Sequence, residues 1–263
     1  MLAYFYIIKT RFLVSLAYRF EVLTSFFVQI ILLVATVFFW KAAYSNMNAI
    51  SSTALDEMIK YAIISTFISS FFCPTVEDSL RSSIRKGNVA VDFLKPVSIM
   101  GMYFAQDIGC IISNLLQKFI PIFIFASIFF GPPLPSSLAN FALSILSTAL
   151  GFLILWFIDA IFGLFYFWVI DLGPIGAIKG TIIEFLSGSF IPLWFFPSQV
   201  AAVMKYLPFM YIYQSPISIY IGKTTASQAF PILLIQAFWV IMLFFCSFFL
   251  QKKAFKNVIV QGG

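Results

Sequence analysis

The 263-residue chain is 62% hydrophobic and only 10% charged, with a formal net charge of +6 and 35 phenylalanines. Soluble domains carry about 25% charged residues, so this composition excludes an ordinary soluble protein and indicates a polytopic membrane protein. The chain has no histidine, which excludes histidine-based acid–base catalysis and histidine metal ligation. The positive charge suits loops that face anionic lipid, and nucleic acid is not needed to explain it.

The first 20 residues predict a basic helix at the membrane surface. Arg11, Ser15 and Arg19 recur every four residues, so they share one face of a helix that is otherwise aromatic and aliphatic. This pattern is typical of an amphipathic helix that lies in the inner membrane interface. The alternative is that the same residues simply extend the first span into the cytosol.

Six apolar runs are expected to cross about 30 Å of hydrocarbon. They cover residues 22–40, 58–74, 103–130, 138–170, a run that starts at 181, and 230–250. The fourth run is long for one span and is expected to kink or extend at Gly163, and residues 171–180 predict a turn. Only Lys41, Lys60, Lys205 and Lys223 fall on the outer side, against eleven basic residues inside, so both termini are predicted to be cytoplasmic.

Residues 75–96 form the longest polar segment and lie between the second and third predicted spans. Thr75 and Asp78 have capping-box spacing and Gly87 is a typical helix stop, so a short helix is predicted from Thr75 to Lys86, followed by a loop closed by Pro96. Six residues are candidate contacts for a soluble partner: Glu77, Asp78, Arg81, Arg85, Lys86 and Gly87. The alternative is a loop that only keeps positive charge inside.

Residues 187–222 are apolar and aromatic but are broken by prolines, so they resemble neither a complete span nor a soluble loop. Broken backbone at membrane depth must be buried in protein or line a cavity. We therefore expect two short helices that re-enter the membrane from the outer face. The residues expected to shape this hairpin are Gly188, Pro192, Phe196, Pro197, Pro208 and Pro216.

Four ionisable residues fall within or beside the predicted spans: Asp107, Lys118, Asp159 and Glu184. Charge inside a membrane is costly and must face a neighbour, a cavity or another subunit. Asp159 and Glu184 are therefore candidate gating or pathway residues. The alternatives are that these charges only hold helices together or lie at the interface level, or that they form a proton relay, for which the chain lacks histidine. The glycine pair Gly176 and Gly180 also favours close helix packing.

No pattern of residues predicts an enzyme or a cofactor in this chain. Paired carboxylates, a nucleophile elbow and a metal-ligand cluster are all missing at useful spacings. The run Gly222-Lys223-Thr224 resembles the end of a phosphate-binding loop, but Ile217 stands where the first glycine of that loop is required. The chain is therefore not expected to bind nucleotide or metal.

Two passages and the order of elements resemble a known family. The passage from Ile84-Arg-Lys-Gly87 to Phe93-Leu-Lys-Pro-Val97 is similar to the loop RKGxLDxxLLRPV, although the family more often has an acidic residue soon after the glycine. The passage Ser187-Gly188 through Pro192, Phe196-Pro197, Leu207-Pro208-Phe209, Pro216 and Gly222 is similar to SGxxxPLxxFPxxL…LPFxxxxxxPxxxxxG, and Tyr18-Arg19 resembles the usual YR before the first span. These are features of ABC-2 permeases, the membrane subunits of type-2 ABC exporters, and the layout covers essentially the whole chain.

The resemblance implies a single transmembrane permease domain over residues 1–263. It implies pairing with a second permease, often a homologous but different chain, and with two ATPase subunits that bind ATP and magnesium. Residues 75–96 would hold the coupling helix that docks on the ATPase, and residues 187–222 would cap a substrate path at the subunit interface. Movement of the first, second and fifth spans would follow ATPase dimerisation. The expected location is the bacterial cytoplasmic membrane.

Two other functional classes compete with this interpretation. A secondary transporter or channel driven by an ion gradient would usually show internal repeats with paired broken helices, and the first half of the chain has no counterpart of residues 187–222. A membrane-embedded enzyme or assembly factor would need a convergent polar cluster, which the sequence lacks. The spans are aromatic and weakly charged and would tolerate an amphipathic or lipid-like substrate, but the same residues are needed for contact with lipid, so the sequence does not identify the substrate.

Overall fold

The computed structural model describes residues 2–45, 52–169 and 173–257, which form twelve α-helices. Helices account for 83% of the residues, and the described ranges contain no strand. In chain order the helices are α1 (Leu2–Ala17), α2 (Arg19–Ser45), α3 (Ser52–Phe71), α4 (Val76–Arg85), α5 (Val89–Leu94), α6 (Ile99–Asn114), α7 (Ile120–Phe130), α8 (Leu138–Phe165), α9 (Pro174–Leu186), α10 (Ser198–Met204), α11 (Gln214–Ile221) and α12 (Ala226–Ala254). The predicted all-α fold class is confirmed.

Within the described ranges, five helical stretches are long and apolar enough to cross a membrane. They are Phe20–Tyr44, Ala54–Arg85, Ile99–Phe130, Leu138–Phe165 and Ala226–Ala254. The prediction of a multi-pass membrane protein is confirmed, whereas the count of six spans is not. At the predicted fifth span, α9 has 13 residues. It therefore measures about 20 Å, less than the hydrocarbon thickness.

Helix α8 is the centre of the bundle and contacts α4, α11 and α12. Two apolar cores meet along it: one lies against α3 and the residues around α11, and the other lies against α4 and α6. Helices inside a membrane associate through close packing, which small residues permit. Gly151 and Gly163 supply two such close approaches on α8, one toward each core.

Residues 187–222 fold back along one half of α8 as short helices separated by prolines. Near the start of α8, the backbone N–H of Ser136 donates to the carbonyl oxygen of Tyr220 at 3.1 Å. Midway along α8, a Cβ on Gly151 would lie 2.7 Å from the carbonyl oxygen of Ile212. The segment therefore extends from the N-terminal end of α8 to the middle of that helix.

Buried amide side chains form hydrogen bonds with backbone carbonyl groups of this segment. Gln236 of α12 donates from Nε2 to the carbonyl oxygen of Tyr211 at 2.8 Å, and Asn140 of α8 donates from Nδ2 to that of Ile219 at 2.9 Å. Gln236 is fully buried and Asn140 is buried. Backbone groups away from water need such partners, because each unpaired group costs several kcal/mol in hydrocarbon. These polar residues therefore explain how the chain breaks its helices inside the bundle.

Three local predictions are wrong. Of the two alternatives at Gly163, the kink is wrong, because α8 runs unbroken through this residue and the glycine permits close approach to α4. The predicted turn over 171–180 is helical from Pro174 onward, because proline in a first helical turn loses no hydrogen bond; Asp171 lies outside the described residues. The predicted loop before Pro96 contains α5, whose first residue, Val89, is buried.

Helix α1 runs beside α6 in the same direction and ends at Ala17, so it is not a continuous extension of α2. The backbone N–H of Ser98 donates to Tyr4 Oη at 3.3 Å, and Ser15 Oγ is hydrogen-bonded to Ser113 Oγ. The Cβ of Arg11 lies against α6 in the same row. The side of α1 that carries Arg11 and Ser15 therefore faces α6. Its position in the membrane interface, together with that of Arg19 at the start of α2, stays a prediction.

Candidate functional site

Helix α4 sits on α6 and α8 through a narrow apolar face. Val76 and Leu80, one helical turn apart, are fully buried. They belong to a core that includes Tyr103 of α6 and Trp156 and Leu164 of α8. The remaining positions of α4 are mostly polar, so the amphipathic pattern fixes which face turns toward the bundle.

A carboxylate from another helix holds the N-terminus of α4. Asp107 of α6 is fully buried and accepts hydrogen bonds from Thr75 N (3.0 Å), Thr75 Oγ1 (2.5 Å) and Trp156 Nε1 (2.9 Å). The predicted capping box is therefore wrong: Thr75 donates to Asp107 and does not cap α4 itself, while Asp78 is exposed. A negative charge near a helix N-terminus is favourable, so Asp107 stabilises α4 and joins it to α6 and α8.

One lysine bridges two carboxylates from different helices. Lys179 Nζ of α9 forms ion pairs with Glu77 of α4 and with Asp159 of α8. The three side chains are between 10% and 14% exposed. The ammonium also lies 5.4 Å from the ring centroid of Phe162, within range of a cation–π contact. The cluster therefore connects α4, α8 and α9 through one positive and two negative charges.

The C-terminal end of α4 is basic and open. Arg85 and Lys86 are exposed. Gly87 has a φ of 71°, and its N–H donates to the carbonyl oxygen of Ile84 at 3.1 Å, so it ends the helix as predicted. Positive charge at a helix C-terminus is favourable, which makes this end a stable basic surface.

The six predicted partner contacts differ in how they are used. Glu77 is used inside the chain by Lys179, and the Arg81 guanidinium lies 5.7 Å from the ring centroid of Tyr166 at the end of α8. Asp78, Arg85 and Lys86 are exposed, and Gly87 follows the end of the helix. A partner could therefore reach the second set, while the first set ties α4 to the bundle.

Asp92 of α5 links the segment that follows α4 to α4 and α6 through hydrogen bonds. Its carboxylate accepts hydrogen bonds from Ser83 Oγ (2.6 Å), Lys95 Nζ (2.6 Å) and Tyr103 Oη (3.1 Å). Burial by itself would raise the pKa of Asp92, but the Lys95 ammonium and the two hydroxyl donors together hold that pKa below its ordinary value. The ionised carboxylate therefore joins α4, α5 and α6.

Helix α9 presents an apolar face without cover from the rest of the described chain. All 13 of its residues are described, and only Ile183 is buried. Four large apolar residues are exposed: Ile175, Ile178, Ile182 and Phe185. A Cβ on Gly180 would meet nothing within 4 Å, and one on Gly176 would meet only Glu77, at 3.6 Å. Glu184 is exposed on this helix, whereas Asp159 is buried in the lysine cluster.

Tyr61 of α3 and Gln214 of α11 fix the start of the segment 187–222. Gln214 Oε1 accepts hydrogen bonds from Tyr61 Oη at 2.7 Å and from the backbone N–H of Leu193 at 3.1 Å. Tyr61 Oη also contacts the carbonyl oxygen of Gly188. Gly188 has a φ of 79°, and a Cβ on it would lie 2.7 Å from Gln214 Oε1, so both backbone and space require glycine.

The prolines of the predicted hairpin stand at or near the N-terminal ends of its short helices. Pro192 and Pro197 precede a 3₁₀ turn (Leu193–Phe195) and α10, with Phe196 between them, and Pro208 precedes a second 3₁₀ turn (Phe209–Tyr211). Pro216 is buried in the first turn of α11. Each proline therefore stands where its missing N–H removes no helical hydrogen bond.

An apolar groove with a volume of about 910 Å³ lies between α3, α6, α8 and α11. Aromatic side chains dominate its walls, among them Phe67, Phe104, Phe119 and Phe152. Among the described residues, no charged side chain lines it. The groove can therefore accept hydrocarbon, and it offers no site for an ion.

Sequence reasoning missed the role of Lys179, the partners of Asp107, and the hydrogen-bonding pair Tyr61 and Gln214. Lys179 falls in the predicted turn over residues 171–180. It is 102 residues from Glu77 in sequence, and this separation does not predict that the two side chains form an ion pair. A signal did exist for Gln214 and Gln236, because an amide inside an apolar run needs a buried partner. The order of elements alone did not say which backbone groups those amides would pair.

A comparison with known protein families gives a match over most of the chain. The family described as "ABC-2 family transporter protein" matches residues 30–262. The match runs from within α2 past the end of α12, and it includes α4, α9 and the segment 187–222. No curated protein and no solved structure matches the chain.

Proposed function

The chain belongs to the ABC-2 transporter family, and on that premise we propose that it is a permease subunit through which a separate ATPase drives export. In this proposal the partner ATPase binds ATP and Mg²⁺, and this chain supplies the spans, the docking helix and part of the substrate path. The family consists of membrane transport components that are typically not enzymes themselves, and this supports a role in transport.

One observation carries the proposal: α4 is anchored on one face and open on the other. Val76, Leu80 and the hydrogen bonds to Asp107 fix its inner face and N-terminus, while Arg85 and Lys86 are exposed at its C-terminal end. A short rigid helix anchored to two spans can pass a displacement to both of them. The exposed basic end then serves as the contact with the ATPase, and Gly87 sets where that contact ends.

A second permease subunit, homologous but different, fits the open face of α9. Ile178, Ile182 and Phe185 recur every three to four residues and are exposed along one side of the helix. Gly176 and Gly180 lie near its other side, where a Cβ on Gly176 would meet Glu77. The exposed apolar side is therefore the surface that a second membrane subunit would cover. In this arrangement the substrate path runs along α9 between the two subunits, and the exposed carboxylate of Glu184 borders it.

The segment 187–222 is proposed to re-enter the membrane from the outer face and to close the path there. Its reach to Gly151, midway along α8, supports a re-entrant position. The basic end of α4 then lies in the cytoplasm, in keeping with the charge distribution, and the membrane is the bacterial cytoplasmic membrane. The apolar groove beside α8 supports an amphipathic or lipid-like substrate.

The test is a charge reversal at the docking surface with a matched control. The tagged chain is purified from native membranes in mild detergent, and ATPase activity of the co-purified complex is measured. Arg85→Glu should release the ATPase or abolish stimulation of its activity. Lys253→Glu, the same charge change at an exposed residue of α12, should leave both intact. A chain that purifies without any ATPase and moves substrate on an ion gradient alone would overturn the proposal.

A further inference from the structure

The ion-pair cluster of Glu77, Lys179 and Asp159 joins the docking helix to a helix that is otherwise weakly held. Lys179 Nζ is in contact with both carboxylates, and all three side chains are largely buried. Helix α9 buries only Ile183 among its 13 residues. The Lys179 side chain is therefore the main polar tie between α9 and the bundle in the part of the chain that the structure describes.

The charges in the cluster do not balance. One ammonium, which has three N–H donors, contacts both carboxylates at once, so the cluster carries one more negative than positive charge. A buried charge that loses its partner is costly, and the cost is larger than the net gain of a well-formed pair. Movement of Glu77 away from Asp159 must therefore pull Lys179 with it or leave a carboxylate without its partner.

The two carboxylates belong to different helices, and we expect only one of these helices to move. Glu77 lies on α4, next to the exposed Asp78 and one turn before Arg81, so it moves with the docking helix. Asp159 lies on α8, the central helix of the bundle, and is buried there. Lys179 thus connects a movable carboxylate to a fixed one, and it carries α9 between them.

We propose that Lys179 is a positioning residue that transmits displacement of α4 to α9 by shifting its ammonium between Glu77 and Asp159. The inference rests on the proposed function, because it takes the ATPase as the source of the displacement of α4. It adds a specific two-state element: in one state Lys179 is drawn toward Glu77, and in the other it is held by Asp159 alone. The face of α9 that carries Gly176 and Gly180 turns or shifts with it.

The test is hydrogen exchange in the complex of the full chain with its co-purified ATPase, reconstituted in nanodiscs. Exchange is followed in residues 76–85 and 174–186, with and without ATP and vanadate. In the native chain both segments should change with nucleotide. In Lys179→Met the change in 76–85 should persist, and the change in 174–186 should be lost. Lys179→Arg, which keeps the charge, should retain both changes.

Two further variants separate transmission from simple stability. Glu77→Gln removes only the ion pair between Lys179 and α4, and it leaves the charges of Lys179 and Asp159 balanced. It should therefore also abolish the nucleotide response of α9, while α9 stays folded. Lys205→Met removes an exposed lysine elsewhere and should change nothing. An α9 response that survives in both Lys179→Met and Glu77→Gln would overturn the inference. A native chain that binds no ATPase would instead overturn the proposed function.

Discussion

Gly163 of α8 lies so close to Glu77 of α4 that no side chain fits between the two helices. A Cβ on Gly163 would lie 3.1 Å from the Cα of Glu77 and 2.8 Å from Cδ1 of Leu80. Leu80 is fully buried, so its side chain has no open space to move into. Helix α4 is therefore held at a distance that only glycine permits, directly beside Glu77, the residue that pairs with Lys179.

Gly163→Ala should displace α4 and destabilise the fold. Overpacking costs about 1–3 kcal/mol, which outweighs the gain of about 1 kcal/mol in helix propensity. Thermal unfolding and hydrogen exchange of residues 76–85 measure the effect in nanodiscs. Gly180→Ala makes the same change where a Cβ meets nothing, so the isolated chain should become slightly more stable. Equal behaviour of the two variants would show that α4 is not tightly packed at Gly163.

Removal of the Asp107 carboxylate should loosen the N-terminus of α4. Asp107→Ala leaves the donors of Thr75 and Trp156 without their partner, at a cost of about 1–3 kcal/mol for each buried donor. The unfolding midpoint should fall, and the backbone N–H of Thr75 should exchange faster. Asp78→Ala, at an exposed carboxylate in the first turn of α4, is the control and should cost much less. A similar loss in both variants contradicts the role given to Asp107.

Asp92 should stabilise the fold at neutral pH and cease to do so in acid. Its pKa is lower in the fold than its ordinary value of 3.8, so the ionised form favours the folded state above that pH. The contribution is lost as the pH falls through the folded value. Asp92→Asn should therefore unfold more easily than the native chain at neutral pH, and the difference should close in acid. A difference that does not shrink at all as the pH falls from neutral to well below 3.8 excludes this mechanism.

Gln236→Leu should release the innermost turn of the segment 187–222. The substitution leaves the carbonyl oxygen of Tyr211 and the hydroxyl of Ser147 without the amide, which should cost about 1–3 kcal/mol per group. Hydrogen exchange should increase in residues 205–214. Gln199→Leu makes the same change at an exposed position and serves as the control. Unchanged exchange in Gln236→Leu would mean that other contacts hold this turn.

Composition and periodicity predicted the helices of the bundle well. Apolar runs locate the long helices, and Gly87 marks the end of α4. Ser137, directly before an apolar run, caps α8 by accepting a hydrogen bond from the N–H of Asn140. These features depend on neighbours in sequence, so local chemistry decides them.

Contacts between helices far apart in sequence could not be predicted in the same way. Thr75 has the spacing of a local cap, yet its hydroxyl donates to Asp107, which lies 32 residues away. Gly163 looks like a helix breaker but is a point of close approach. Lys179 looks like a loop lysine but bridges carboxylates on two other helices. In each case tertiary packing decided between alternatives that local propensity left open.

The decisive experiment is photocrosslinking from the free end of α4 in native membranes. A photoreactive phenylalanine replaces Lys86, and a second variant carries it at Tyr206, which is 81% exposed at the far side of the segment 187–222. After irradiation, the covalent adducts are identified by mass spectrometry. Position 86 should capture a P-loop ATPase, and position 206 should not. Capture of the ATPase from position 206, or its absence from position 86 in membranes that contain it, would contradict the docking role of α4.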